Sequence, residues 1–125
     1  EMRQKILKNA KYFNERFADL PVSTQKEIGE SSWFGFSMVL ENKLAGQRNQ
    51  VVKNLESKGI ECRPIVAGNF MKNPVIEYLN FISKGNYESA NQIHDNGLFI
   101  GNDIRDLKKN IDLVHETIKK VHSKL

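Results

Sequence analysis

Trp33-Phe-Gly-Phe-Ser-Met-Val-Leu40 is the stretch of this sequence that decides its fold class. Its large apolar side chains recur with a period of two, which places them on one face of a strand and would scatter them around a helix. They are Phe34, Phe36, Met38 and Leu40. Gly35 lies on the opposite face, where the missing side chain lets another backbone or a ligand approach closely. We therefore predict a strand with one buried face over residues 33–40.

An amphipathic helix precedes this strand. Its apolar residues recur at helical spacing, with Lys and Asn on the other face. They are Ile6, Leu7, Ala10, Phe13 and Phe17. Pro21 ends the helix, and the polar stretch 21–32 is interpreted as a connector.

A short amphipathic helix over residues 45–58 and a second strand over residues 60–66 are predicted after the first strand. Gly59 stands where a left-handed residue commonly ends a helix, and Pro64 favours an edge position for the strand. Asn73-Pro74 is a turn signal.

Two helices and one strand complete the chain. The first helix runs from a cap near Asn86 to Gly97, and residues 98–101 form a short apolar strand. In the last helix, apolar residues repeat at steps of three and four, and Asn102 or Asp103 caps its start. They are Ile104, Leu107, Ile111, Val114, Ile118, Val121 and Leu125. A packed helix is favoured, and a coiled coil is the alternative for this seam.

Strands separated by helices predict an α/β sandwich of two layers, with a small sheet covered mainly on one side. The 125 residues fit one domain, and an apolar fraction of 39% supports a single core without disulfides. The sequence begins directly on helical periodicity, which suggests that it starts inside a longer protein.

Charge and cysteine content exclude several classes. The net charge of +4 is spread among alternating acidic and basic residues, so a solvated surface is favoured over a face that binds nucleic acid. Cys62 is the only cysteine and has no disulfide partner, which favours a reducing compartment, the cytoplasm. We find no signal-peptide pattern and no apolar run long enough to span a bilayer.

The sequence contains no convincing catalytic set and no predicted metal site. His94, His115 and His122 lack acidic residues at metal-binding spacing and are interpreted as surface or boundary histidines. Cys62 has no histidine nearby in the sequence to activate it.

The candidate binding segment is Gly59-Ile-Glu-Cys-Arg-Pro-Ile-Val-Ala-Gly-Asn-Phe-Met-Lys-Asn-Pro74. Arg63 offers a planar fork for phosphate or carboxylate, and Asn69 offers both a donor and an acceptor. Gly68 permits a close backbone approach. A purely structural loop is the alternative interpretation of the same residues.

Several motifs together resemble the C-terminal part of sugar 3-dehydratases that act on nucleotide-linked 4-keto-6-deoxyhexoses, in the DegT/DnrJ/EryC1/StrS group of pyridoxal-phosphate enzymes. They are Ser31-Ser-Trp-Phe-Gly-Phe36, Gly59-Ile-Glu-Cys-Arg63, Ala67-Gly-Asn69 with Pro74, and Asn96-Gly-Leu-Phe-Ile-Gly101. Val66 stands where an aromatic residue is common in that group. The resemblance implies the small, mostly antiparallel C-terminal domain of fold type I enzymes, with residues 1–20 as a linking helix and 31–125 as the family-like core.

The resemblance also implies a mechanism for the intact protein. Pyridoxal phosphate or pyridoxamine phosphate is held by a large N-terminal domain, a histidine replaces the usual lysine, and the sugar loses its C3 hydroxyl. A homodimer and a role in lipopolysaccharide biosynthesis are expected. For this chain, the resemblance implies that Arg63 and Asn69 contact the sugar or its phosphates, while Trp33, Gly68 and Phe70 shape the wall of the substrate site. It implies no catalytic residue here and no cofactor bound by this chain alone.

Two other functions stay open. A sugar aminotransferase of the same group differs in the lysine or histidine at the cofactor, which lies outside this sequence. A small basic α/β module that binds nucleic acid would show strongly salt-dependent association.

Overall fold

The computed structural model describes residues 1–125 and contains four α-helices and three strands. In chain order they are α1 (Met2–Arg16), β1 (Val22–Thr24), β2 (Gly35–Leu40), α2 (Arg48–Glu56), α3 (Glu88–Asn96), β3 (Gly97–Gly101) and α4 (Lys108–Ser123). Four 3₁₀ turns occupy Phe17–Asp19, Asn42–Leu44, Phe70–Lys72 and Pro74–Tyr78.

The strands form one antiparallel sheet in the order β1-β2-β3. Val22 pairs with Leu40 on one side of β2, and Met38 pairs with Leu98 on the other. One face of this sheet shares the hydrophobic core with α1, α2 and α4, and the rings of Phe13 and Phe36 stack there with centroids 4.3 Å apart. The predicted two-layer α/β fold with a small, mostly antiparallel sheet is confirmed.

Two strand predictions were wrong. The supposed connector 21–32 contains β1, a strand of three residues that only its pairing with β2 defines. The predicted strand 60–66 is reduced to a single bridge between Arg63 and Phe99. Pro64 has no backbone N–H to donate, so a regular ladder cannot continue past it.

The start of β2 differs from its predicted pattern. Trp33 adopts a left-handed backbone with φ of 51°, so the strand begins at Gly35 and the period of two starts after Trp33. As a result Trp33 enters the core, and the Phe34 side chain is 73% exposed instead of buried. The Phe34 ring packs against the Phe99 ring, with centroids 5.3 Å apart.

The helices occupy the predicted regions with shifted ends. α2 is shorter at both ends than the predicted 45–58. α4 begins at Lys108 instead of at the predicted Asn102 or Asp103, and Ile104 and Leu125 are exposed. None of the helices combines the length and the hydrophobicity that crossing a membrane requires.

Asn9 of α1 explains the late start of α4. Its amide Nδ2 donates to the carbonyl oxygens of Asp103 and Arg105 at 3.1 and 2.7 Å, and its Oδ1 accepts from the N–H of Leu107 at 3.3 Å. These bonds satisfy the donors and the acceptor of the buried Asn9 amide, as buried polar groups require. They also hold residues 103–107 in a turn. The helix therefore starts only after this turn.

A polar cluster joins α1 to α4. Asp112 accepts hydrogen bonds from Tyr12 Oη and Arg16 Nε, both at 2.8 Å, and these partners hold the pKa of Asp112 below its ordinary value. His115 is fully buried, with Nε2 2.7 Å from Asp19 Oδ1, so the prediction of a surface or boundary position was wrong for this histidine. The two helices bring together residues about one hundred positions apart.

Asp112→Asn tests the contribution of this cluster. Since the folded-state pKa is depressed, the ionised carboxylate stabilises the fold fully above about pH 4, and this stabilisation is lost as the pH falls through the folded-state value. We expect the variant to lose about 0.5–1 kcal/mol of unfolding free energy at pH 7 and less at pH 2.5, measured by urea denaturation. Glu116→Gln, an exposed residue on the same helix, is the control and should change little. An equal loss at both pH values would contradict the assignment.

Candidate functional site

Arg63 lies at the outer edge of the sheet, where its backbone bonds fix its place. Its N–H donates to the carbonyl of Phe99 at 2.9 Å, and its carbonyl accepts from the N–H of Phe99 at 2.7 Å. The guanidinium donates from Nε and Nη2 to Glu61 Oε1 at 2.9 and 2.7 Å. Because both side chains are more than 70% exposed, this ion pair is open to exchange with a ligand or water.

The Arg63 side chain borders a shallow cleft with an aromatic wall. The cleft measures about 310 Å³, and its other lining residues are Phe34, Glu61, Phe99 and Gly101. A Cβ on Gly35 would lie 1.9 Å from Cζ of Phe99, so the ring occupies the space that this glycine leaves. The predicted close approach at Gly35 is therefore made by an aromatic ring of the same chain.

A second cleft of about 290 Å³ opens on the other side of Glu61 and shares Glu61 and Gly101 with the first. Its floor is apolar and includes Phe36, and its rim carries Arg105, which is paired with Asp103. A bound group here would meet an apolar floor and one ion pair, between Arg105 and Asp103.

Gly68 allows the loop after Arg63 to lie against helix α3. Its φ is +61°, and a Cβ at this position would approach Nδ1 of His94 to 2.6 Å. Nδ1 of His94 accepts the N–H of Asn69 at 3.1 Å, which places the ring proton of the neutral histidine on Nε2. The Ala-Gly-Asn turn is thus fastened to α3 through its backbone.

Asn69 uses its side chain inside the protein. The residue is only 5% exposed, its Nδ2 donates to Oδ1 of Asn91 at 2.8 Å, and its Oδ1 accepts from the N–H of Met71 at 3.0 Å. Lys72 adds an ion pair to Asp95 at 3.0 Å. The Asn69 amide thus caps the Phe70–Lys72 turn.

The five sequence-predicted residues therefore fall into two groups. Arg63 and Phe70 are accessible, with Phe70 48% exposed, whereas Trp33 and Asn69 are buried and Gly68 rests on His94. Contact with a sugar stays a prediction for each of them.

Sequence reasoning missed Glu61, Phe34 and Phe99 as lining residues. Glu61 was detectable, since residues two apart on extended backbone point to the same side. Phe34 was misplaced by the assumed alternation. The contact between His94 and Gly68 had no sequence signal, because tertiary packing alone brings them together.

These residues do not by themselves fit pyridoxal phosphate. Such a cofactor needs a carboxylate or arginine at its ring nitrogen and a separate set of donors for its phosphate. In the aromatic cleft the one carboxylate, Glu61, and the one guanidinium, Arg63, are bonded to each other. The arrangement suits instead an anionic or polar group that displaces Glu61 from Arg63.

Gly68→Ala is expected to destabilise the chain more than Gly29→Ala. Both glycines have positive φ, so both variants carry the left-handed backbone strain, but a Cβ at Gly29 meets nothing within 4 Å. The clash with His94 should add about 1–3 kcal/mol of destabilisation, measured by chemical denaturation. Equal losses in the two variants would show that the turn does not pack on α3 as described.

Cys62 should react slowly with thiol reagents. Burial, with the charges of Glu56 and Glu61, raises the pKa of its thiol to about 11, so the thiol stays protonated at pH 8. We expect modification by a disulfide reagent at pH 8 to be roughly hundredfold slower in the folded chain than in guanidinium-unfolded chain. Similar rates in both states would mean that the thiol is exposed and ionisable.

Comparison with known proteins places these features in a family. The chain is 46% identical over 114 residues to the GDP-4-keto-6-deoxy-D-mannose 3-dehydratase of Escherichia coli O55:H7, covering 90% of this chain and 29% of that protein. A solved E. coli GDP-4-keto-6-deoxy-D-mannose 3-dehydratase with bound hydrated PLP superposes with a TM-score of 0.84 at 44% identity, covering 92% of this chain and 30% of that one. The chain thus spans under a third of these relatives.

More distant proteins share the fold alone. Helicobacter pylori PseC, an aminotransferase involved in pseudoaminic acid biosynthesis, superposes with a TM-score of 0.75 at 13% identity, covering 99% of this chain and 33% of that one. The sequence pattern of the DegT/DnrJ/EryC1/StrS aminotransferase family matches residues 1–119. By this match, and by the fold that carries it, the chain belongs to the DegT/DnrJ/EryC1/StrS aminotransferase family.

Proposed function

We propose that this chain is the small domain of a nucleotide-sugar 3-dehydratase, which removes the C3 hydroxyl of a GDP-linked 4-keto-6-deoxyhexose. The observation that carries the proposal is the 46% identity with the E. coli 3-dehydratase across 114 residues. That stretch includes the Arg63 cleft. The intact enzyme comprises this domain and a larger cofactor-binding part.

Arg63 binds the diphosphate of the substrate in this proposal. Its guanidinium offers a planar fork that fits phosphate oxygens, and its only side-chain partner is the exposed carboxylate of Glu61. A diphosphate carries more negative charge than one carboxylate, so it displaces Glu61 from the fork. Glu61 is then free to accept hydrogen bonds from hydroxyl groups of the ribose or the hexose.

Aromatic rings form the wall beside this anion site. Phe34 and Phe99 pack together with their centroids 5.3 Å apart, and Phe34 keeps most of its surface open. Phe70 is another accessible ring, on the loop fastened to α3, and it does not line the Arg63 cleft. Trp33, Gly68 and Asn69 support the site indirectly. Each fixes the backbone that positions an accessible neighbour, Phe34 or Phe70.

Pyridoxal or pyridoxamine phosphate supplies the chemistry at the sugar ketone when it is bound to the intact enzyme. The residues of the Arg63 cleft do not fit that group, so in this proposal the remainder of the protein holds it. A homodimer, a cytoplasmic location and a role in lipopolysaccharide biosynthesis belong to the same proposal. An aminotransferase would use the same small domain with a lysine at the cofactor, but identity above 40% is found here with dehydratases.

A chimera tests the proposal. In it, this chain replaces the matching 114 residues of the E. coli enzyme. The chimera, supplied with pyridoxamine phosphate as the two-electron donor, should convert GDP-4-keto-6-deoxy-D-mannose to its 3-deoxy product, detected by mass spectrometry. A folded, cofactor-loaded chimera without this activity would refute the proposed function.

Arg63→Ala in the chimera should raise KM for the GDP-sugar about 10–100-fold with a smaller effect on kcat, because a charge-assisted bond to phosphate contributes roughly 1.5–3 kcal/mol. Arg63→Lys should recover part of the loss, since it keeps the charge without the fork. Arg3→Ala removes a comparably exposed Arg–Glu pair away from the cleft and serves as the control. An unchanged KM in Arg63→Ala would place the diphosphate elsewhere.

A further inference from the structure

A third cleft, between α2 and α4, is lined by lysines and by no aspartate or glutamate. It measures about 350 Å³ and shares no lining residue with the Arg63 cleft. Its charged side chains are Lys58, Lys120 and Lys124, and it is called the lysine cleft below. Four other surface clefts of this chain each include at least one carboxylate side chain. The lysine cleft therefore differs from them in the sign of its charge.

Lys58 is fixed in the lysine cleft by a hydrogen bond to a buried residue. Its Nζ donates to Oγ1 of Thr117 at 2.7 Å, and Thr117 is only 1% exposed. The same Oγ1 donates its proton to the carbonyl of Leu113 at 2.6 Å, so a lone pair is left for the ammonium. An ammonium group has three donors, and Thr117 accepts from one of them. The other two are left for a ligand.

Lys120 and Lys124 bring two more positive charges to the same wall. They lie four positions apart, a spacing at which like charges on a helix repel each other. Glu116, one turn before Lys120, makes no ion pair with it. The dipole of α4 favours lysines in its last turn, but its effect fades before Thr117, where Lys58 is bound. An anion placed among the three ammonium groups would relieve their repulsion.

The facing wall, on α2, offers neutral hydrogen-bonding groups. They are Gln47, Gln50, Asn54 and Ser57. These residues are three or four positions apart, so they form one row along a single face of the helix. Between Thr117 and Lys124 the other wall extends about 10 Å along α4. A row of phosphate groups matches cations spread over this length, and amide N–H groups can donate to the same oxygens.

We propose that the lysine cleft binds an oligophosphate group, with Lys58, Lys120 and Lys124 as its cationic ligands. The site goes beyond the proposed function, because no residue of the Arg63 cleft takes part in it. A small anion is favoured over a nucleic acid. A nucleic acid would need cations that continue outside the cleft, whereas the remaining charge of the chain alternates in sign.

Titration calorimetry of the 125-residue chain with sodium tripolyphosphate tests the proposal. The parent for all measurements is Arg63→Ala, so that the guanidinium of the other cleft does not contribute. We expect one site. Lys58→Ala, and separately Lys120→Gln combined with Lys124→Gln, should each weaken binding about tenfold, because each change removes a charge-assisted contact. Lys53→Ala is the matched control, since Lys53 is an exposed lysine of α2 outside the cleft, and it should stay within about twofold of the parent.

The exposed positions of Lys120 and Lys124 keep the test decisive if Lys58→Ala disturbs the contact with Thr117. The same loss of affinity in Lys53→Ala as in the cleft variants would overturn the proposal, because the anion would then follow net charge alone. The absence of binding to the parent would also overturn it. Tighter binding of a short single-stranded oligonucleotide, weakened by the same variants, would overturn it in favour of a nucleic-acid surface. Of the two supporting results, equal affinity for ATP and tripolyphosphate would indicate a free oligophosphate, and tighter binding of ATP a nucleotide.

Discussion

The antiparallel pairing of β2 with β3 is the constraint on which the rest of the structure depends. It sets Met38 beside Leu98, both fully buried, and so closes the sheet over the core formed with α1, α2 and α4. It also places Phe99 where its backbone binds Arg63 and its ring covers Gly35. The cleft exists because a ring, a glycine and an arginine meet at one edge of this pair.

Helix α3 supports the turn at Gly68 and Asn69 beside the candidate site. It supplies His94 and Asn91 to the turn at Gly68 and Asn69, and it leads directly into β3. The loop is therefore held through backbone and buried amide bonds, while its large side chains face outward.

The states of Arg63, Glu61 and Cys62 bear on the chemistry that this chain can support. Arg63 and Glu61 satisfy each other in the open cleft, so the cleft is suited to exchanging one anion for another and not to holding a cofactor. Cys62 is half-buried, and its thiol, whose pKa is raised to about 11, stays protonated at neutral pH.

The sequence by itself determined the α/β class, four helices, the two longer strands and the family, because apolar periodicity and local motifs record which face of each element is buried. Tertiary structure alone decided the rest. β1 exists only through its partner strand, α4 starts late because Asn9 holds the preceding turn, and Asn69 is turned inward by Asn91. Contacts between residues distant in the chain leave no local periodicity, so only the folded protein shows them.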